Sequence, residues 1–319
     1  MHKAKPFIKW VGGKGQLLSQ LDALLPSNFN SWDNVTYIEP FVGGGAMLFH
    51  ILQRHHNITR AVINDINHDL IVCYQTVRDN VDALISSLRH IEARYIALTS
   101  LDAKQDMFLQ IRAHYNEKNL DPVENATLFF FLNRTCFNGL YRVNRKGLFN
   151  VPFGKYVSPQ ICDEPTLRAD SALLQRVEIL EGDFTQTLRH AQSPTLFYFD
   201  PPYRPISATS NFNDYTKDAF NDDSQRRLKE FCDTITSLGH SFMLSNSDCP
   251  GTNQQEGFFD VLYRDYHIDR VMAARNVNAS GAKRGKISEI LVHNYVSSQN
   301  SQPLLFSLTE LADLNTAYV

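Results

Sequence analysis

The stretch Leu196-Phe197-Tyr198-Phe199-Asp200-Pro201-Pro202-Tyr203 sets an acid, two prolines and an aromatic ring at the end of an apolar run. The run predicts a short buried strand. Prolines donate no backbone hydrogen bond and fix φ, so the strand must stop at them. The prolines thus begin a rigid loop at a strand's carboxyl end, where open α/β sheets bind their ligands. The loop offers the Asp200 carboxylate, the Pro201 carbonyl and the Tyr203 ring. Oxygens that accept from an amine, beside a ring that stacks on a flat face, suit a planar substrate carrying an exocyclic NH2. A strand that merely ends in a proline turn accounts for the prolines, but not for the acid and the aromatic beside them.

A second constellation lies earlier. Val35-Thr36-Tyr37-Ile38 reads as a strand, Glu39-Pro40-Phe41-Val42-Gly43-Gly44-Gly45 as a glycine turn, and an apolar helix starts at Ala46. Strand, glycine turn and helix open a nucleotide-binding unit, but Leu48 stands where G-x-G-x-x-G has its third glycine, which disfavours a dinucleotide. The strand Ala61-Val62-Ile63 ends in Asn64-Asp65, an acid about 20 residues past the glycines, where such folds bond ribose hydroxyls. Upstream, Phe7-Ile8-Lys9-Trp10-Val11-Gly12-Gly13-Lys14 closes on two glycines and a lysine without the spacing of a phosphate-binding P-loop. A helix with Leu17, Leu18, Leu21 and Leu25 on one side comes next, up to Pro26. The histidines show no metal-ligand spacing, and no metal is assigned.

Other elements must carry these groups. Past Asp65 helical spacing takes over for about a hundred residues, with Val81, Leu84, Ile85, Leu88, Ile91 and Tyr95 in one series and Met107, Phe108, Ile111 and Tyr115 in another. Asp121-Pro122-Val123-Glu124 reads as an N-cap, a first-turn proline and a capping-box glutamate, opening a helix through Leu132. Tyr141-Arg142-Val143-Asn144 and Leu148-Phe149-Asn150-Val151 flank Arg145-Lys146-Gly147 and predict a β-hairpin with one basic face. The sheet resumes at Val177-Glu178-Ile179-Leu180, which leads into Gly182-Asp183-Phe184, and continues with the Asp200 strand. A helix around Arg226–Ile235, a strand Ser241–Leu244 with Ser245-Asn246 at its end, and closing strands Phe259–Tyr263 and Ile287–Val292 complete it. The expected fold is α/β, a Rossmann-like sheet interrupted by a helical and β-hairpin insert. Residues 1–75 and 168–296 form the discontinuous sheet domain, 76–167 the insert, and 297–319 a polar linker and tail. A helical insert bearing a basic hairpin reads as a recognition module; a lid or a dimerisation element is the alternative.

The 319 residues suffice for a full core, and 43% hydrophobic with 20% charged content is ordinary for a globular protein. The longest apolar run, around Leu128–Leu132, is too short to cross a bilayer. The amino terminus lacks the apolar core of a secretion signal. Cys73, Cys136, Cys162, Cys232 and Cys249 form no C-x-x-C pair, which fits a reducing cytoplasm better than a disulfide framework or a zinc site. The formal net charge of −3 argues against a sequence-blind nucleic-acid coat. Yet Lys3–Leu21, Asn125–Cys162 and Arg270–Ser288 contain bases and no acids, which predicts one basic face for a polyanion.

Together the lysine-glycine opening, the Glu39–Gly45 turn, Asn64-Asp65, Gly182-Asp183-Phe184 and Asp200-Pro201-Pro202-Tyr203, in this order, resemble the Dam-type DNA adenine-N6 methyltransferases, the D12 class of the alpha group. The likeness runs to about Tyr295 and implies S-adenosylmethionine as cofactor and double-stranded DNA as partner. It implies that Trp10, Lys14, Asp65 and Asp200 contact S-adenosylmethionine, with Phe41, Gly43, Asp183 and Phe184 lining the same pocket. It also implies GATC as the target, read by Lys9, Phe137, Asn138, Leu140, Arg142 and Pro152; Lys146 is the expected phosphate contact. Asp200, Pro201 and Tyr203 would then act on the amine of a flipped adenine. A cytosine-N4 enzyme uses the same type of proline loop, although Asp at 200 rather than serine favours adenine. A catalytically silent DNA-binding subunit is the reading from a different class, disfavoured by the intact Lys14, Asp65, Asp200 and Tyr203. Neither a restriction partner nor its absence is implied.

The tail lies outside the likeness. Gln302-Pro303-Leu304-Leu305-Phe306 is similar to the short peptides by which bacterial replication proteins bind the sliding clamp. The alternative is that these apolar residues fold back on the sheet domain or start a short helix.

Overall fold

A computed structural model describes residues 2–204, 220–249, 257–274 and 286–298. Its strands are β1 Val35–Glu39, β2 Ile58–Asp65, β3 Val177–Glu181, β4 Thr195–Phe199, β5 Ser241–Ser247, β6 His267–Ala274 and β7 Lys286–His293. They form one sheet in the order β3-β2-β1-β4-β5-β7-β6. β3, β2, β1, β4 and β5 are mutually parallel, and β7 runs antiparallel between β5 and β6. This is the doubly wound order with one reversed strand slotted in, and its switch point falls between β1 and β4. Every residue of β1 and β4 is buried, as central strands covered on both faces require.

The helices are α1 Leu18–Ala23, α2 Ala46–Arg54, α3 His68–Asp79, α4 Val81–Ala97, α5 Leu101–Tyr115, α6 Pro122–Thr135, α7 Glu164–Leu174, α8 Asp222–Ser237 and α9 Phe258–Leu262. Phe197, Phe199 and Phe242 from one side of the sheet pack with Leu228, Phe231 and Ile235 of α8. On the other side, Tyr37, Leu196 and Tyr198 join a core that runs without a break into Leu84, Leu88, Phe108 and Phe131 of α4, α5 and α6. The sheet and the inserted helices therefore share buried apolar surface. The expected boundaries at 75/76 and 167/168 fall inside α3 and α7.

The hairpin forms around one bridge, Val143 to Phe149. The Asn144 amide donates to the Leu148 carbonyl and the Asn150 amide to that of Arg142. The Asn144 side chain accepts from the amides of Lys146 and Leu148 and so closes the turn. Arg142, Arg145 and Lys146 are exposed, whereas Phe149 and Val151 are buried.

Several expectations need correction. Phe259–Tyr263 is not a strand: Phe259 lies on the buried side of α9 and Tyr263, its buried C-cap, follows four residues on, so tertiary packing decides in favour of the helix. The strand at that end of the sheet is β6, in which His267, Asp269 and Arg270 break up the apolar pattern. Asp121 does cap α6, accepting from the amides of Val123 and Glu124, but Glu124 closes no box; its carboxylate pairs with His114. The helix after Lys14 begins at Leu18 and ends at Ala23. Two of the bases counted towards one basic face are already partnered within the protein. Arg134 turns inward and donates to the Phe7 carbonyl, and Arg270 is neutralised by Asp248 and Asp260. Arg275, Lys283 and Arg284, and the whole Gln302–Phe306 peptide, lie outside the described residues. No helix among the described residues is long and apolar enough to cross a membrane.

One buried amide ties the opening segment to the insert. Asn133 of α6, 3% exposed, accepts from the Lys9 amide at 2.8 Å and donates to the carbonyls of Lys9 and Gly139 at 2.8 and 3.0 Å. Asn133→Ala strands three backbone groups, so the unfolding free energy should fall by about 1–3 kcal/mol. A denaturant titration checks this, and an unchanged midpoint at an unchanged slope refutes it.

Candidate active site

The carboxyl ends of β1, β2 and β4 meet at the switch point, and each carries an acid there: Glu39, Asp65 and, just past β4, Asp200. The Lys14 ammonium, with its side chain 5% exposed, lies 2.8 Å from Asp200 Oδ1 and donates to the Gly12 carbonyl at 2.9 Å. It also stands 4.4 Å from the centroid of the Tyr203 ring, a cation–π contact. A buried lysine must be paired, and here the pairing bolts the opening segment to the proline loop.

The ends of β5 and β7 grip the same loop. The Ser245 hydroxyl donates to Asp200 Oδ1 at 3.1 Å and lies 3.2 Å from the Tyr198 hydroxyl. Asn246 Oδ1 accepts from the Arg204 amide, and the Ser247 hydroxyl donates to the Arg204 carbonyl at 2.6 Å. Gln225 of α8 donates to the Pro202 carbonyl, and Glu289 of β7 accepts from the Tyr203 hydroxyl at 2.7 Å. Arg204 itself is held by Asp222. Prolines leave the loop short of internal hydrogen bonds, and neighbouring strands supply external ones.

The glycine turn makes a second cluster. Gly43 has φ +48°, and a Cβ there would come within 2.9 Å of Trp10 Cδ1, so the turn and the indole are in direct contact. Asp65 Oδ2 accepts from the Gly43 amide at 3.1 Å and Oδ1 from the Asn67 amide at 3.0 Å. Burial nevertheless pushes the Asp65 carboxyl above the usual carboxylate range, against those amides. Phe41 packs on Phe184 with ring centroids 5.3 Å apart. Burial pushes Asp183 up, but hydrogen bonds from Arg227 and Thr185 outweigh it and hold the carboxyl below its ordinary range.

The third cluster is on the insert. The Phe137 amide donates to the Pro152 carbonyl, and both residues are exposed beside Asn138. Gly139, at φ +64°, lets the Lys9 chain lie where a Cβ would be, and Lys9 Nζ reaches to 5.0 Å from the Tyr156 ring. Leu140 comes next in the chain, half-buried against the core. Arg142 is anchored to Asn150 Oδ1 at 2.7 Å, with Lys146 in the turn beyond. The Trp10 ring stacks on Tyr141 at 5.6 Å, and Tyr141 on Phe129 at 5.5 Å. The Tyr141 hydroxyl donates to Asp69 of α3. The glycine-turn cluster and the hairpin therefore meet ring to ring.

Trp10, Gly43 and Asp65 come together, as do Lys14, Asp200 and Tyr203, and Lys9 with Gly139 beside Phe137. Sequence reasoning passed over Gln225, Ser247 and Glu289. Glu289 did carry a signal: it is an acid next to the buried run Ile290-Leu291-Val292.

A doubly wound sheet with a reversed seventh strand, and an acidic proline loop and a glycine turn at its switch point, is the Rossmann-like sheet of the S-adenosylmethionine-dependent methyltransferases. A family model of the D12 class N6 adenine-specific DNA methyltransferases matches residues 10–277, and the chain belongs to that family. It is 43% identical over 296 residues to the type II methyltransferase M.MjaIII of Methanocaldococcus jannaschii, covering 92% of this chain and 100% of that protein. It is 32% identical to the DNA adenine methylase of Vibrio cholerae (91% and 96% covered) and 30% to that of Escherichia coli (91% and 95%). Membership implies S-adenosylmethionine as methyl donor and DNA as substrate.

Glu39 lies at the centre of these acids. It is buried, accepts from the Tyr37 hydroxyl at 2.8 Å, and is pushed well above its ordinary 4.5 by burial, with the nearby Asp200 charge adding to the rise. A carboxyl raised on folding stabilises the fold below its unfolded value and loses that contribution as pH rises through the folded one. Wild-type stability should therefore decline from about pH 4.5 upward, relative to Glu39→Gln, which has no proton to lose. Thermal midpoints of both proteins across pH check this; parallel profiles refute it.

Proposed function

We propose that this protein transfers a methyl group from S-adenosylmethionine to N6 of adenine in double-stranded DNA, at GATC, on a base flipped out of the duplex. The observation that carries the proposal is the proline loop itself: Asp200, fixed by Lys14 and Ser245, stands beside Tyr203, fixed by Lys14 and Glu289.

The residues fit the cofactor. The turn at Gly43 leaves no room for a side chain beside Trp10, and Asp65 is oriented by two amides at the place where such folds bond a ribose. Trp10, Lys14, Phe41, Gly43, Asp65, Asp183, Phe184 and Asp200 are its proposed surroundings, and bound there it supplies an electrophilic methyl sulfonium.

The chain does the rest by positioning. Adenine's amine is a poor nucleophile because its lone pair is delocalised into the ring. Asp200 and the Pro201 carbonyl accept from that amine and favour a pyramidal nitrogen. Holding the two reactants in line supplies much of the rate. Extruding the base costs about a few kcal/mol, and stacking on Tyr203 offsets part of it. Residues 76–167 form the proposed recognition domain. Within it Phe137, Asn138, Leu140, Arg142 and Pro152, with Lys9, read the target and Lys146 contacts phosphate. The Arg142 guanidinium is geometrically able to bond both acceptors of a guanine edge.

Incubation with labelled cofactor and mixed DNA should place label on adenine N6, and label on cytosine N4 would sink the target assignment. Asp200→Ala should abolish transfer while the protein still binds DNA, because phosphate contacts dominate affinity, although the unpaired Lys14 should lower its thermal midpoint. Plasmid methylated by the protein should resist an endonuclease blocked by GATC methylation; complete cutting overturns the site but not the chemistry. Arg142→Ala should relax discrimination at one base pair by about 1–3 kcal/mol, read as kcat/KM on single-substitution duplexes.

A further inference from the structure

A base can stack productively on Tyr203 only if the ring keeps one orientation. A tyrosine ring at a loop end has several rotamers open to it, and the prolines before it fix backbone rather than side chain. Two contacts fix it here. The Lys14 ammonium lies over the ring, 4.4 Å from its centroid. At the outer edge the Tyr203 hydroxyl donates to Glu289 Oε2 at 2.7 Å. Glu289 is 86 residues away in sequence and stands on β7, opposite Ser247 of β5 and Val271 of β6. Its backbone is thus set by two paired strands rather than by the loop. Burial, with Asp200 and Glu289 beside it, pushes the Tyr203 phenol well above its ordinary range, so the hydroxyl remains a donor. A phenol donating to a carboxylate makes a charge-assisted hydrogen bond, stronger than a neutral one.

We propose that Glu289 is a positioning residue for the methyl acceptor: by holding the Tyr203 hydroxyl it fixes the ring plane on which the extruded base stacks. This rests on the proposed role of Tyr203 as the stacking platform. What the ring needs is an acceptor oxygen at that point on β7. Glu289→Gln keeps one, Glu289→Ala removes it, and Tyr203→Phe removes the donor. The alanine and phenylalanine variants should share one defect, and combining them should add nothing.

The test uses the full chain and a duplex with the fluorescent analogue 2-aminopurine in place of the adenine that the wild type methylates. Glu289→Ala should lose most of the fluorescence rise that marks an unstacked base. Its kcat/KM for DNA should fall about tenfold, the factor that goes with one lost charge-assisted hydrogen bond. Cofactor affinity should stay at the wild-type value. Glu289→Gln should rescue the signal and the rate, Tyr203→Phe should match Glu289→Ala, and the double variant should fall no further. Wild-type fluorescence and kcat/KM in Glu289→Ala overturn the assignment, and so do losses that add in the double variant. Should Glu289→Ala fail to fold, Tyr203→Phe still decides: wild-type kinetics there overturn the proposal. The target base is judged separately on the wild type. If its label arrives on cytosine N4, the same variants assayed on that substrate still decide the role of Glu289.

Discussion

The site depends on one buried cation. Lys14 cannot lie inside the protein without an anion, and the anion within reach is Asp200. Satisfying that charge pulls the opening segment across the switch point and sets the height of the proline loop. The same ammonium faces the Tyr203 ring, so one side chain orders the acid and the aromatic together. Trp10 is four residues before Lys14, and Lys9 five, so anchoring Lys14 also delivers Trp10 to the glycine turn and Lys9 to Gly139. The Asn133 amide fixes the other end of that segment.

The second constraint is hydrogen-bond accounting at strand ends. β4 is apolar along nearly its whole length and stops at prolines, so the loop beyond it has few internal partners. β5 changes from Phe242-Met243-Leu244 to Ser245-Asn246-Ser247 at the level of the loop. Each of these three polar residues bonds the loop. β7, reversed in direction, brings the start of a strand rather than its end to that level, which is how Glu289 arrives there.

The insert is built into the same body. The Trp10–Tyr141–Phe129 stack runs from the glycine turn into α6, and Asp69 of α3 holds the middle ring by its hydroxyl. Burial pushes Asp69 up, yet hydrogen bonds from Lys118 and Tyr141 hold its carboxyl below its ordinary range. The glycine turn and the hairpin are thereby packed into one continuous body through these rings.

What the sequence determined by itself was local. Proline geometry ended β4 at Asp200, the glycines marked the turn after β1, the Asp121 cap started α6, and Asn144 with Gly147 made the hairpin turn; each depends on residues within a few positions of one another. The motif order likewise pointed to the family that the comparisons establish. Tertiary structure decided whatever needed distant partners. Phe259–Tyr263 alternates poorly and is too short to choose a period, so packing chose helix. Arg270 looked like part of a basic face until Asp248 and Asp260 met it. Glu289 was one acid in a strand until the antiparallel register of β7 set it against a tyrosine 86 residues away. Local chemistry is written in neighbouring residues, whereas the partner of a buried charge or hydroxyl is settled only when the strands pair.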